Sequence, residues 1–277
     1  MTKDEIRNKI ISLKTEEDIK DFVESRIATL ENNSVEATVG QNYTDSFSEY
    51  ISEKVHFKPG EKIDNRDCPD LVYDDLTPYY NLVCELNKLG NYNELILFSI
   101  VTALIYKYLP SNNDVMDRAA FYYFFEGKRR SIKDVRNNKC AFCSEKAGMA
   151  HNLFKFLGID SEVICGAKNK EPHAFNMIYP MGYGTEPMIL YDPSYFITFI
   201  KGDEKVYLGY FKAFKKEDYE AFKQGIPMPL DLNKTELNYR RIYGDILDGY
   251  ELKDETDIYV YGLDASRKYI NSLGGGR

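Results

Sequence analysis

A chain of 277 residues with 43% hydrophobic and 29% charged side chains can fill a buried core, which excludes a disordered or fibrous class. The net charge of -8 and pI near 5.1 offer no clustered positive charge for nucleic acid or an anionic membrane, and the short run Lys128-Arg129-Arg130 reads as a solvated helix end. No stretch approaches the ~20 apolar residues of a membrane span, and the charged opening is not a signal peptide. Five cysteines (68, 84, 140, 143, 165) are an odd number, so reduced thiols and a cytoplasmic location are expected.

Residues 2–32 carry two helix starts, Thr2 to Glu5 and Thr15 to Asp18, each spaced as a capping box ahead of apolar residues at helical intervals. A further helix is predicted over 43–56. The stretch 57–76, with Pro59, Gly60, Asp64, Asn65 and Pro69, reads as a loop-rich connector. From Thr77 to Tyr108 the apolar positions recur at helical spacing, with a break at Gly90-Asn91, which predicts a helical hairpin. A helix over Asp114–Phe125 follows. A helix from Cys143 to Leu157 stops at Gly158, with an apolar stripe of Ala147, Ala150, Phe154 and Leu157. Short strands are then expected at 160–165, 173–179, 188–192, 195–200 and 205–211, a helix near 216–224, and a strand at 257–261. The closing Gly274-Gly275-Gly276-Arg277 reads as a flexible end, and no internal repeat is found. Helices first and a strand meander after them make an α+β order. Three regions are expected: a helical N-terminal accessory region (1–70), a catalytic core (71–212) and a mixed C-terminal region (213–277).

Three residues lie where nucleophilic catalysis needs them. Cys143 heads a helix, whose unpaired N–H groups and positive dipole end favour a thiolate and can hold an oxyanion. His173 opens a strand with Phe175, Met177 and Tyr179 on its face, and an imidazole there can exchange a proton with the thiol. Asp192 ends the next apolar run, placed to accept from the second ring nitrogen and fix the tautomer. Each alone has a plainer reading, as a buried cysteine, a satisfied histidine and an Asp-Pro turn.

Their joint order resembles the transglutaminase-like superfamily. The matching residues are Cys143, Glu145, Ala147, the turn Leu157-Gly158-Ile159, the strand from Ser161 to Gly166, His173-Ala174-Phe175 and Asp192-Pro193-Ser194. The resemblance implies a papain-like core, with the nucleophile-bearing helix packed on an antiparallel sheet and a helical extension before it. It implies cysteine-dependent acyl transfer on a peptide or protein amide, with no cofactor. Two departures stand out: Ala141 replaces the glycine that often lies two residues before the nucleophile, and the chain has no tryptophan. The missing tryptophan weakens protein crosslinking as the activity. Asn137 and Asn138 are candidate oxyanion donors.

Two other readings stay open. The core can serve as a non-catalytic peptide- or partner-binding protein. Cys140-Ala141-Phe142-Cys143 is also a Cys-x-x-Cys motif, able to bind zinc with Cys165 and His173 or to cycle as a dithiol, although no metal ligand set is assigned. Under the catalytic reading Cys140 is a bystander or a regulatory disulfide partner for Cys143. His151, about 80° round the helix from Cys143, is expected at the surface. The aromatic runs 121–125 and 207–214 read as core packing.

Overall fold

The computed structural model describes residues 1–31, 35–38, 54–57, 76–92, 94–109, 141–168, 171–229, 240, 247–252 and 258–261. Helices α1 (Lys3–Ser12) and α2 (Glu16–Glu31) start as the sequence predicts. The Thr2 hydroxyl accepts from the Glu5 N–H at 3.3 Å and the Glu5 carboxylate from the Thr2 N–H at 2.8 Å. Thr15 and Asp18 repeat the exchange at 3.0 and 2.9 Å. Each box satisfies two amide groups that a helix start leaves open. Helices α3 (Thr77–Leu89) and α4 (Glu94–Tyr108) form the expected hairpin, broken at Gly90.

The helix predicted over 43–56 is corrected where the structure describes it: Lys54–Phe57 is a strand, β2, paired antiparallel with β1 (Val35–Thr38). The segment Lys54-Val55-His56-Phe57 alternates polar and apolar residues, a period of two that the helical reading passed over. The rest of that segment, the helix expected at 114–125, the basic run, the aromatic run 121–125 and the Gly-rich end lie outside the described residues.

Helix α5 (Cys143–Phe156) is the centre of the fold. The single apolar stripe expected for it is too narrow, because Glu145, Lys146, Met149, His151, Asn152, Leu153 and Phe156 are buried as well as Ala147, Ala150 and Phe154. A helix enclosed on all sides buries its polar residues along with its apolar ones. The helices α1–α4 pack round one part of it and the sheet round the rest. Its end is held by Arg26, whose guanidinium donates to the carbonyls of Phe156 at 2.9 Å and Lys155 at 3.2 Å. Gly158 then turns the chain with φ +72°, close against Ile6 of α1.

The sheet comprises β3 (Asp160–Lys168), β4 (Glu171–Tyr179), β5 (Met188–Lys201), β6 (Glu204–Phe214), β7 (Met228–Pro229), β8 (Glu251–Leu252) and β9 (Ile258–Tyr261). The order is β6-β5-β4-β3-β9-β7, with β8 on β5, and every pairing is antiparallel. The two strands expected at 188–192 and 195–200 are one strand, β5, with a register shift between Asp192 and Phe196. Helix α6 (Lys216–Lys223) matches the helix expected near 216–224.

Alternation gives the sheet two faces. Ile178, Ile189 and Tyr191 join the core around α5. Ile164, Phe175, Met177, Tyr179, Leu190, Tyr210 and Tyr259 form a second core on the opposite face, with Tyr219 and Phe222 of α6. There Tyr179 donates to the Glu162 carboxylate at 2.7 Å and lies 2.9 Å from the Tyr219 hydroxyl, and Tyr183 donates to the other Glu162 oxygen.

The second face is curled. Strands β5 and β9 are three steps apart, about 14 Å in a flat sheet. Yet the Tyr259 hydroxyl reaches the Asp192 carboxylate at 2.7 Å, and the Tyr210 and Tyr259 rings stack at 5.6 Å. Side chains standing off a flat sheet would not meet across that gap. No helix among the described residues is long and apolar enough to cross a membrane.

Candidate active site

Cys143 is the first residue of α5, and Phe142 is its N-cap with extended backbone. Glu145, the third residue of the helix, accepts from the Phe142 N–H at 2.8 Å. This is half a capping box, since phenylalanine has no oxygen with which to return the bond. The half that is present fixes the entry of the chain into the helix and so fixes the thiol. The first N–H groups of α5, that of Cys143 included, have no acceptor within the helix.

Strands β4 and β5 pair at Asn176–Tyr191, Met177–Leu190 and Ile178–Ile189, and then part. Where the ladder ends, the Cys143 sulfur comes within electrostatic reach of the His173 ring and of the Ala174 N–H. The parting of two strands therefore lets a helix start on one face of the sheet touch a histidine that belongs to the other. Asn176, fully buried, fastens the two elements by donating to the Ala147 carbonyl of α5 at 2.9 Å.

His173 Nε2 lies 2.7 Å from Asp192 Oδ2, which leaves Nδ1 for Cys143. Asp192 is fully buried. Its Oδ1 accepts from the Ser194 N–H at 2.8 Å and its Oδ2 accepts a second bond, from Tyr259. The β5 register shift falls immediately after Asp192, where Pro193 brings no N–H to the ladder, and the irregularity turns the carboxylate toward the histidine. Cys143, His173 and Asp192 thus come from three separate elements and converge.

Burial works against every charge in that group, and the partners outweigh it. For Cys143 burial raises the thiol pKa, while the hydrogen bond and charge of His173 and the Ala174 N–H bring it below the ordinary thiol value, against the opposing charge of Asp192. For His173 burial favours the neutral ring, but the charge and hydrogen bond of Asp192, followed by those of Cys143, push its pKa up to about 10. For Asp192 burial raises the pKa, and His173, Lys168 and Tyr259 together hold it below the usual carboxylate range. The balance favours thiolate, imidazolium and carboxylate held together.

Sequence reasoning missed several neighbours. Lys146 is 4% exposed, with Nζ 5.4 Å from the centre of the Tyr106 ring. Burial lowers its pKa, and Asp192, Cys143 and Glu145 partly restore it. Lys168 on β3 lies 5.9 Å over the Tyr259 ring. Tyr259 is the more consequential omission. Its segment, Ile258-Tyr259-Val260-Tyr261, signals only a strand, and nothing in the sequence points from it to Asp192.

The surface position expected for His151 is corrected. It is fully buried, with Nδ1 2.9 Å from the Ser161 hydroxyl. Burial, followed by the charge of Lys155 and against the Ser161 bond, depresses its pKa to about 3, so it is neutral. Asn137, Asn138 and Cys140 lie outside the described residues, as does the side chain of Cys165. Among the described residues no group of three or more His, Cys, Asp or Glu side chains is arranged to hold a metal ion.

No family model, curated protein or solved structure matches the chain.

Proposed function

We propose that this chain is a cysteine-dependent acyl-transfer enzyme with a papain-like, transglutaminase-like core, acting on peptide or protein amides, including glutamine side chains. Cys143 is the nucleophile, His173 the acid and base, and Asp192 the residue that orients the imidazole. The observation that carries this reading is the convergence of a thiol at the head of α5 with a histidine whose ring lies 2.7 Å from a fully buried carboxylate. A structural cysteine needs no imidazole, and a structural histidine needs no thiol.

The Cys143 thiolate attacks the amide carbonyl carbon, and the oxygen takes the negative charge within reach of the N–H groups at the start of α5. The C–N bond breaks as the His173 imidazolium gives its proton to the departing amine. A thioester on Cys143 remains. Water or a second amine then loses a proton to His173, attacks the thioester carbon and expels the thiolate. Asp192 keeps its charge throughout and holds the ring in one orientation. The side chains of Asn137 and Asn138 remain proposed contributors to the oxyanion site. A reducing cytoplasmic setting suits a nucleophile that must stay a free thiol.

The test is alkylation by iodoacetamide across pH, with the modified residue located by mass spectrometry, in the wild type and Cys143→Ala. Cys143 should react fast below pH 7, where an ordinary thiol is almost entirely protonated. Cys143→Ala should also lose all hydrolysis and hydroxylamine transfer on glutamine peptides. A Cys143 that alkylates only above pH 8 would favour a binding protein on the same core.

A further inference from the structure

We propose that Tyr259 is a positioning residue of the site, a fourth member of the group, which holds the Asp192 carboxylate ionised and aimed at His173. The proposal rests on the acyl-transfer reading for its catalytic meaning, and on geometry alone for the contact itself. Tyr259 is fully buried and its hydroxyl donates to Asp192 Oδ2 at 2.7 Å, the same oxygen that His173 Nε2 meets at 2.7 Å. With Ser194 donating to Oδ1, three donors surround a carboxylate that has no solvent contact. A buried carboxylate must be paired and hydrogen-bonded to keep its charge, and His173 alone supplies one donor.

The tyrosine is fixed more firmly than its short strand suggests. In β9 it lies between Lys168 of β3 and Met228 of β7 in the ladder. Its ring stacks on Tyr210 at 5.6 Å and meets Phe175 edge-on at 5.3 Å. Phe175 in turn stacks on the His173 ring at 6.2 Å. A rigid aromatic frame therefore sets both the hydroxyl and the imidazole. Tyr259 is remote in sequence from the segment that resembles the superfamily, so the C-terminal part of the chain completes the site.

The groups that bear charge around Asp192 are His173 on β4, Lys168 on β3, and Cys143, Glu145 and Lys146 on α5. Taken as one unit, thiolate, imidazolium and carboxylate carry a net negative charge. Removing a donor from that unit makes each of its proton uptakes easier, so its titration moves to higher pH. Tyr259→Phe keeps the ring and removes only the donor.

Two measurements on the full chain test this. The first is the pH profile of Cys143 alkylation by iodoacetamide. Its acid limb should move up by about one pH unit in Tyr259→Phe, while Tyr210→Phe, which removes a buried hydroxyl from the same aromatic frame but not the contact, should leave it in place. The second is the carbon-13 titration of the Asp192 carboxyl by NMR, which needs neither substrate nor a reactive thiol. Its midpoint should rise in Tyr259→Phe. If Cys143 proves unreactive in the wild type but the Asp192 midpoint still rises in the variant, the acyl-transfer reading fails and the hold of Tyr259 on Asp192 stands. Superimposable carboxyl titrations in wild type and Tyr259→Phe, or an equal shift in Tyr210→Phe, would reduce Tyr259 to packing and overturn the proposal.

Discussion

Two of the described histidines stand in regions only a few residues of strand apart, His151 fully buried and His173 mostly so, and their surroundings drive them in opposite directions. His151, inside α5 against β3, has a hydroxyl for company and is held neutral, with its pKa near 3. His173, on β4, has a carboxylate and a thiol and is held charged, with its pKa near 10. Burial pushes both the same way, toward the neutral ring. The difference is made by a single carboxylate, Asp192, and by what keeps that carboxylate ionised.

The strongest way to break the contrast is to make the His173 site resemble the His151 site. Asp192→Asn keeps the shape and removes the charge. The His173 pKa should fall, and turnover should drop by roughly 10² to 10⁴-fold, as expected when a buried orienting carboxylate is neutralised. NMR titration of the ring and kcat/KM on glutamine peptides check the two halves of that statement.

The converse test concerns stability. The folded pKa of His151 lies below its unfolded value of 6.5, so its contribution is intact above pH 6.5 and is lost as pH falls toward about 3. Across that window His151 should cost up to about 1.4 kcal/mol of stability per pH unit. The double variant His151→Leu/Ser161→Ala, which replaces both partners by apolar groups, should remove that part of the slope. The measurement is urea unfolding at pH 7, 6 and 5, read as the difference between the two proteins.

Asn176 lies between the two regions and ties β4 to the helix that carries both Cys143 and His151. Asn176→Ala removes the second bond to the Ala147 carbonyl, which keeps its partner within the helix, and should cost about 1 kcal/mol in urea unfolding. It should also slow Cys143 alkylation, because the gap between α5 and β4 is no longer held.

Gly158→Ala touches only the His151 end of the helix. A β-carbon there would lie 2.8 Å from Ile6 Cδ1 and 3.2 Å from the Lys3 nitrogen, on a backbone with φ +72°. The cost should be on the order of 1–3 kcal/mol, with the Cys143 pH profile unchanged. A shift in that profile would mean that the two ends of α5 are coupled.

Where local physics decides the outcome, the chain could be read directly. The capping boxes at Thr2 and Thr15, the break at Gly90 and the stop at Gly158 follow from side-chain oxygens and glycine at fixed offsets. The helix from Cys143 and the strands around His173 and Asp192 follow from periodicity. The position of His151 could not be read this way, because the angle round a helix says nothing about how many sides of it are covered. Strand β2 was misread because a few alternating residues inside a longer polar stretch carry a weak signal.

By itself, then, the sequence determined most of the elements around the site and the order in which a thiol, an imidazole and a carboxylate occur along them. Only the tertiary structure decided that β4 and β5 part where Cys143 arrives, that α5 is enclosed on every side, and that the sheet curls far enough for Tyr259 to reach Asp192. Those facts depend on contacts between residues distant in the chain, and periodicity and capping act over a few residues at most.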